Sequence, residues 1–148
     1  MSFLYSFSII SQETKNFDLI ILVDEELATN ISNIHLQVIS QNDTINIGAS
    51  YHPGNLSLPQ KRFEQIMSDK TKTIVMSFNY FNSKSKNRLK HYSYRISYNK
   101  NWLKESFNIL RIYNFDKRKY RKKYNPAFEY ATFARELDFG WYSIIPLK

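Results

Sequence analysis

The chain has 148 residues, 43% of them hydrophobic and 16% aromatic, with 11 Tyr, 11 Phe, 3 Gly, no Cys and a formal net charge of +8. One domain of ordinary size is expected, with enough apolar side chain for a core that needs no metal or disulfide staple. The missing cysteines exclude disulfides, thiolate metal sites and cysteine nucleophiles, and point to a reducing, cytoplasmic setting. The scarcity of glycine argues against a glycine-rich phosphate loop.

Taken in order, residues 3–10 alternate Phe3, Tyr5, Phe7 and Ile9 with serines, a strand pattern without the basic start of a signal peptide. Residues 16–24 hold the run FDLIILVD between Asp18 and Asp24, which predicts an interior strand. Residues 25–33 are acidic and then polar, and read as a loop or a single helical turn. In residues 34–51, Ile34, Leu36 and Val38 alternate with His35 and Gln37, and Ile45, Ile47, Ala49 and Tyr51 alternate after the turn formers Gln41, Asn42 and Asp43. That is a β-hairpin. Ser57 and Gln60 have the spacing of a capping box, with Pro59 in the first turn of a helix over 58–67.

Residues 73–81 and 91–98 are paired strands, with Ile74, Met76, Phe78 and Tyr80 on one face of the first. Tyr92, Tyr94, Ile96 and Tyr98 share one face of the second. A cationic loop over 82–90 joins them, long enough to be exposed and functional. A strand is favoured from 107 to 115, apolar except for Arg111. The basic run DKRKYRKKYN follows, as a charged edge strand or loop. Residues 127–137 read as a short helix after Asn125 and Pro126, or else as a strand with Phe128 and Tyr130 facing one way, and 141–145 as a last strand. The expected fold is mainly β, an antiparallel sandwich or partly open barrel of seven or eight strands with one or two short helices. An α+β arrangement is the alternative.

The charge is unevenly placed. Residues 1–83 sum to −3, residues 84–123 to +12 and residues 124–148 to −1. A basic block of this kind attracts nucleic acid, an anionic membrane or an acidic protein surface. The candidate contacts are Lys84, Lys86, Arg88, Lys90, Arg111, Lys117, Arg118, Lys119, Tyr120, Arg121, Lys122, Lys123 and Tyr124. On a strand, Lys117, Lys119, Arg121 and Lys123 share one face, and Tyr120 and Tyr124 on the other could stack on unpaired bases. Against this stands a solvated edge whose charges only discourage aggregation. Arg111 is either an edge-strand arginine laying its stem along the sheet or a partly buried arginine that fixes an interface.

His35, His52 and His91 lack a second histidine or carboxylate at metal-ligand spacing, and Asp24, Glu25 and Glu26 lack a calcium-loop pattern, so no metal or cofactor is expected. No stretch of about 18 uncharged residues marks a membrane span. The favoured expectation is a non-enzymatic protein-binding module, of inhibitor, immunity or adaptor type, that covers an acidic partner surface with a cationic, tyrosine-rich face. A single-stranded nucleic-acid binder is the alternative, and a small hydrolase or nuclease built on His52 a weaker one. The Asn-, Ile-, Lys-, Tyr- and Phe-rich composition resembles that of AT-rich bacterial or phage genomes. The two cationic segments, 82–90 and 117–123, are expected on one face.

Overall fold

In the computed structural model, residues 13–41, 43–82, 90–114, 117–123, 131–136 and 142–146 are described. The expected strand over 3–10 lies outside them. The fold is mainly β, with three sheets and no closed barrel among the described residues. The first sheet has the order β1 (Thr14–Phe17), β7 (Asn55–Pro59), β6 (Ser50–His52). The second has the order β12 (Tyr142–Pro146), β11 (Ala131–Glu136), β10 (Asn108–Asn114), β2 (Leu19–Val23), β3 (Glu26–Leu27). The third has β5 (Thr44–Gly48), β4 (Ile31–Ser40), β8 (Thr71–Asn82), β9 (Lys90–Tyr98). The helices are α1 (Gln60–Met67) and α2 (Arg118–Lys123), with a 3-10 turn at Lys100–Lys104.

The core follows from side-chain alternation. Leu19, Ile21 and Val23 of β2, Leu36 and Val38 of β4, Ile74, Met76 and Phe78 of β8, and Tyr94, Ile96 and Tyr98 of β9 all join one buried cluster. Burying a side chain of this size contributes about 1.5–3 kcal/mol. The cluster draws on all three sheets, so they form a single hydrophobic unit. Pairing is antiparallel throughout except for β2 with β10, which run parallel with Ile21 opposite Leu110. β10 therefore lies in the interior of its sheet, between β2 and β11.

Several local expectations change. Residues 25–33 are not a helical turn. Asp24 and Glu25 both have positive φ (55° and 72°) and form the two-residue turn of a hairpin that pairs Val23 with Glu26. Two successive left-handed residues suit the right-handed twist of paired strands, the geometry usually supplied by Asn-Gly or Asp-Gly. Residues 44–52 do not stay in one sheet. β5 pairs with β4, the Ala49 N–H donates to Ile34 O at 3.1 Å, and the chain then crosses to pair β6 with β7. Pro53 and Gly54 turn that second hairpin, and Gly54 takes φ 93°, a value an L-residue rarely adopts.

The capping box does not form. Ser57 belongs to β7 and its hydroxyl donates to Asn16 Oδ1 at 2.6 Å. The helix starts after Pro59 with no side-chain cap, and the Gln60 N–H donates to Glu13 O. Pairing β1 with β7 outcompetes the cap, because Leu56 and Leu58 then become fully buried. Of the two readings of 127–137, the described part follows the strand and not the favoured helix, since β11 occupies Ala131–Glu136. Both edges of β11 are used, by β10 and by β12, and tertiary pairing overrides a weak helical pattern there.

Candidate functional site

The basic run is a helix, not an edge strand or loop. Lys and Arg are good helix formers, and a helix lets one residue per turn face inward. That residue is Tyr120, 1% exposed, with its ring 5.0 Å from Tyr113 on β10. On a strand Tyr120 would share its face with Arg118 and Lys122, and both of these are exposed on α2. The buried Tyr120 is not offered to a nucleobase, and Tyr124 lies outside the described residues.

What holds the helix start is an acidic turn. Asp24 is 6% exposed, and its carboxylate accepts three hydrogen bonds. The Asn114 N–H donates to Oδ1 at 2.8 Å, the Asn114 side-chain amide to Oδ2 at 3.0 Å, and the Lys117 ammonium to Oδ2 at 2.8 Å. The Asp24 N–H itself donates to Ile112 O at 2.7 Å. Asn114 is buried as well, and its side-chain oxygen accepts from the Tyr94 hydroxyl at 2.8 Å. One relay thus runs Tyr94, Asn114, Asp24, Lys117, joining β9 of the third sheet to β10, the β2–β3 turn and the start of α2. A buried carboxylate is costly unless its lone pairs are met, and here each oxygen has a donor.

A second, looser contact lies beside it. Lys119 Nζ is 3.3 Å from Glu25 Oε2 and 4.4 Å over the Tyr120 ring. The Tyr120 side chain and, after it, Glu25 hold the Lys119 ammonium above its ordinary value. The pair is solvent-exposed, so it is screened and weak. Asp24 and Glu25 are therefore not a free solvated loop: they are the docking site of the cationic helix.

The remaining candidates fall in different places. Lys84, Lys86 and Arg88 lie outside the described residues. Lys90 opens β9, with its Cα opposite Asn82. Arg111 sits in mid-β10, half-buried, opposite Leu22 on one side and Ala134 on the other, so the edge-strand reading fails. Arg118 and Lys122 are exposed; Arg121 and Lys123 belong to α2. The ends of the 82–90 connection pair two residues beyond Tyr80. Asp24, Glu26 and Lys117 all act electrostatically on Tyr80, whose phenol is raised first by burial and then by the two carboxylates. The anchors of one cationic segment and the start of the other therefore share one end of the fold.

The tyrosine row of β9 is core. Tyr94 and Tyr98 are both 4% exposed, and Tyr92 is half-buried and stacked on Tyr80 and Tyr94. It offers no broad tyrosine face to a partner. His52 is exposed at the β6–β7 hairpin, and His91 is exposed and stacked on Phe81 at 4.8 Å. His35, whose Nδ1 is 3.0 Å from Asn33 O, lines a shallow concavity with Ser77, Asn79, Ser93 and Arg95. Among the described residues no three His, Asp or Glu side chains converge on a possible metal position.

Burial pushes the Tyr94 phenol far above its ordinary value, and the Asn114 hydrogen bond offsets this only in part. Burial raises Tyr51 and Tyr80 as well. Above pH about 10 the unfolded chain loses phenolic protons that the folded chain keeps, so stability falls as pH rises. Tyr94→Phe is expected to cost about 1 kcal/mol at pH 7 through the lost hydrogen bond. It is also expected to flatten the alkaline limb of a urea-midpoint-against-pH plot. An alkaline limb as steep as that of the parent would contradict this account of Tyr94.

Asp24 and Asn114 are the residues that sequence reasoning missed as a pair. The one available signal was an acidic triplet, residues 24–26, and a cationic run of opposite sign, with nothing to bring them together. No family model, curated protein or solved structure matches the chain.

Proposed function

We propose that the chain is a non-enzymatic protein-binding module, of inhibitor, immunity or adaptor type, that meets an acidic partner surface with the outward cations of α2. The observation that supports this most is the posture of the helix. Tyr120 and Lys117 tie it down, while Arg118 and Lys122 stay exposed at the end of the fold where the 82–90 connection is anchored. Cations fixed on a docked helix lose less freedom on binding than cations on a free chain. Such a surface steers association electrostatically and gives a strongly salt-dependent on-rate. The reading places the contact in the cations alone, since the β9 tyrosines are interior. The burial of Tyr120 likewise removes a main support of the nucleic-acid alternative. A reducing cytoplasm, bacterial or phage-encoded, is the setting proposed from the cysteine-free composition.

The experiment is an affinity capture from the source cell with nuclease added, at two salt concentrations, comparing the parent with Arg118→Ser/Lys122→Ser. A protein partner whose on-rate drops roughly three- to tenfold in the double variant is the expected result. Capture that survives unchanged in the variant, or that disappears with nuclease, would defeat this reading.

A further inference from the structure

At the other end of the third sheet lies a cavity of about 380 Å³, formed where β8 begins, β9 ends and the 3-10 turn follows. It sits beside the Ile74–Tyr98 pair, and Tyr80, close to the acidic turn, lies six positions further along β8. At about 3.3 Å per residue the two ends are roughly 20 Å apart. The cavity is thus separate from the cationic helix.

Its lining has a consistent chemistry. Lys72, Lys100, Thr73, Ser97, Asn99 and Trp102 all contribute, and no Asp or Glu is among the residues that line it. Lys100 donates to Ser68 O at 2.8 Å and thereby ties the cavity rim to the end of α1. Asn99 accepts from the Asn101 N–H at 2.9 Å, which fixes its side chain and leaves its amide hydrogens to face outward from that bond. Lys72 is exposed, and neither it nor the Thr73 and Ser97 hydroxyls has a protein partner among the described residues. Trp102, half-buried and held edge-to-face with Tyr98 at 4.9 Å, supplies an aromatic wall.

We propose that this cavity binds a small phosphorylated aromatic compound of mononucleotide size. The ammonium of Lys72 and the two hydroxyls meet the phosphate, since charge-assisted donors recognise anions best and no carboxylate opposes them. The Trp102 ring faces the aromatic part. The volume lies at the lower end of the range for small-molecule sites, which suits one nucleotide and excludes a longer oligomer. This inference is independent of the reading of α2.

The test is equilibrium dialysis of the full chain against adenosine 5′-monophosphate, with adenosine and inorganic phosphate as separate arms. The monophosphate is expected to bind more tightly than either fragment. Lys72→Ser, an exposed change that leaves the core intact, is expected to weaken it about tenfold. Lys122→Ser, on α2, is expected to leave it unchanged, and Trp102→Phe to preserve most of it. Failure to bind at about 1 mM, a concentration that even weak sites answer to, would overturn the proposal. So would inorganic phosphate binding as tightly as the monophosphate, or an equal loss in the Lys72 and Lys122 variants, which marks diffuse cationic attraction.

Discussion

Asp24→Ala is expected to lower the unfolding free energy by about 3 kcal/mol, among the largest effects of any single polar substitution in this chain. Two causes add. The buried Asn114 main-chain N–H and side-chain amide lose their acceptors, and Lys117 loses its counter-charge. Alanine also replaces a residue held at φ 55°, a left-handed conformation that Asp and Asn tolerate and alanine resists by about 1 kcal/mol. Asp24→Asn separates these causes, because it keeps the backbone preference and removes the charge. It is expected to cost about half as much, leaving one amide group facing donors it cannot accept from. Urea midpoints at pH 7 read both variants. An Asp24→Ala midpoint within about 0.5 kcal/mol of the parent, the range of ordinary surface substitutions, would show that the relay holds nothing together.

Tyr120→Ala is expected to free α2 locally, at a cost of about 3 kcal/mol, the usual size for truncating a buried aromatic ring. A helix of six residues has no stability of its own, since isolated helices below about 12–15 residues are marginal in water. Without Tyr120, the Lys117–Asp24 pair and the weak Lys119–Glu25 pair remain to hold it. Amide exchange is expected to accelerate over Arg118–Lys123 much more than in β8 or β9. Partner capture should also weaken although no cation has been removed. Protection over α2 equal to that of the parent would mean that the ring is not what docks the helix.

Much of the third sheet was legible from period-two alternation. β4 with β5 and β8 with β9 are the predicted hairpins, with Ile74, Met76 and Phe78 sharing one face and Tyr94 and Ile96 another as the alternation requires; that the tyrosines of β9 are buried rather than turned to a partner was not legible. What the pattern could not carry was contact between distant segments. Ser57 and Gln60 have the right spacing for a cap, and only the pairing of β7 with β1 removes Ser57 from the helix. The basic run suggests a charged edge strand or loop, and its pattern cannot point to the helix, because periodicity needs apolar marks and Lys117–Lys123 holds one. The burial of Tyr120 decides it, and that depends on Tyr113 lying beneath. The candidate site was legible as a charge excess but not as an anchored helix. Its anchor, Asp24, lies 90 residues from Asn114 in the chain, and like charges or unlike charges give no register at that distance.

That separation also has a consequence for the order in which the protein assembles. β4 with β5 and β8 with β9 can zip as hairpins, and joining them only closes the segment between Ser40 and Thr71, so the third sheet has a shorter entropic path than the second. The parallel pairing of β2 with β10 cannot begin until nearly three quarters of the chain exists, and β2 must wait with one edge open. During synthesis, Leu19, Ile21 and Val23 are therefore expected to lean on the early hairpins as a provisional shelter. The acidic turn is made early and α2 late, so the cations of the helix emerge from the ribosome to a counter-charge already in place.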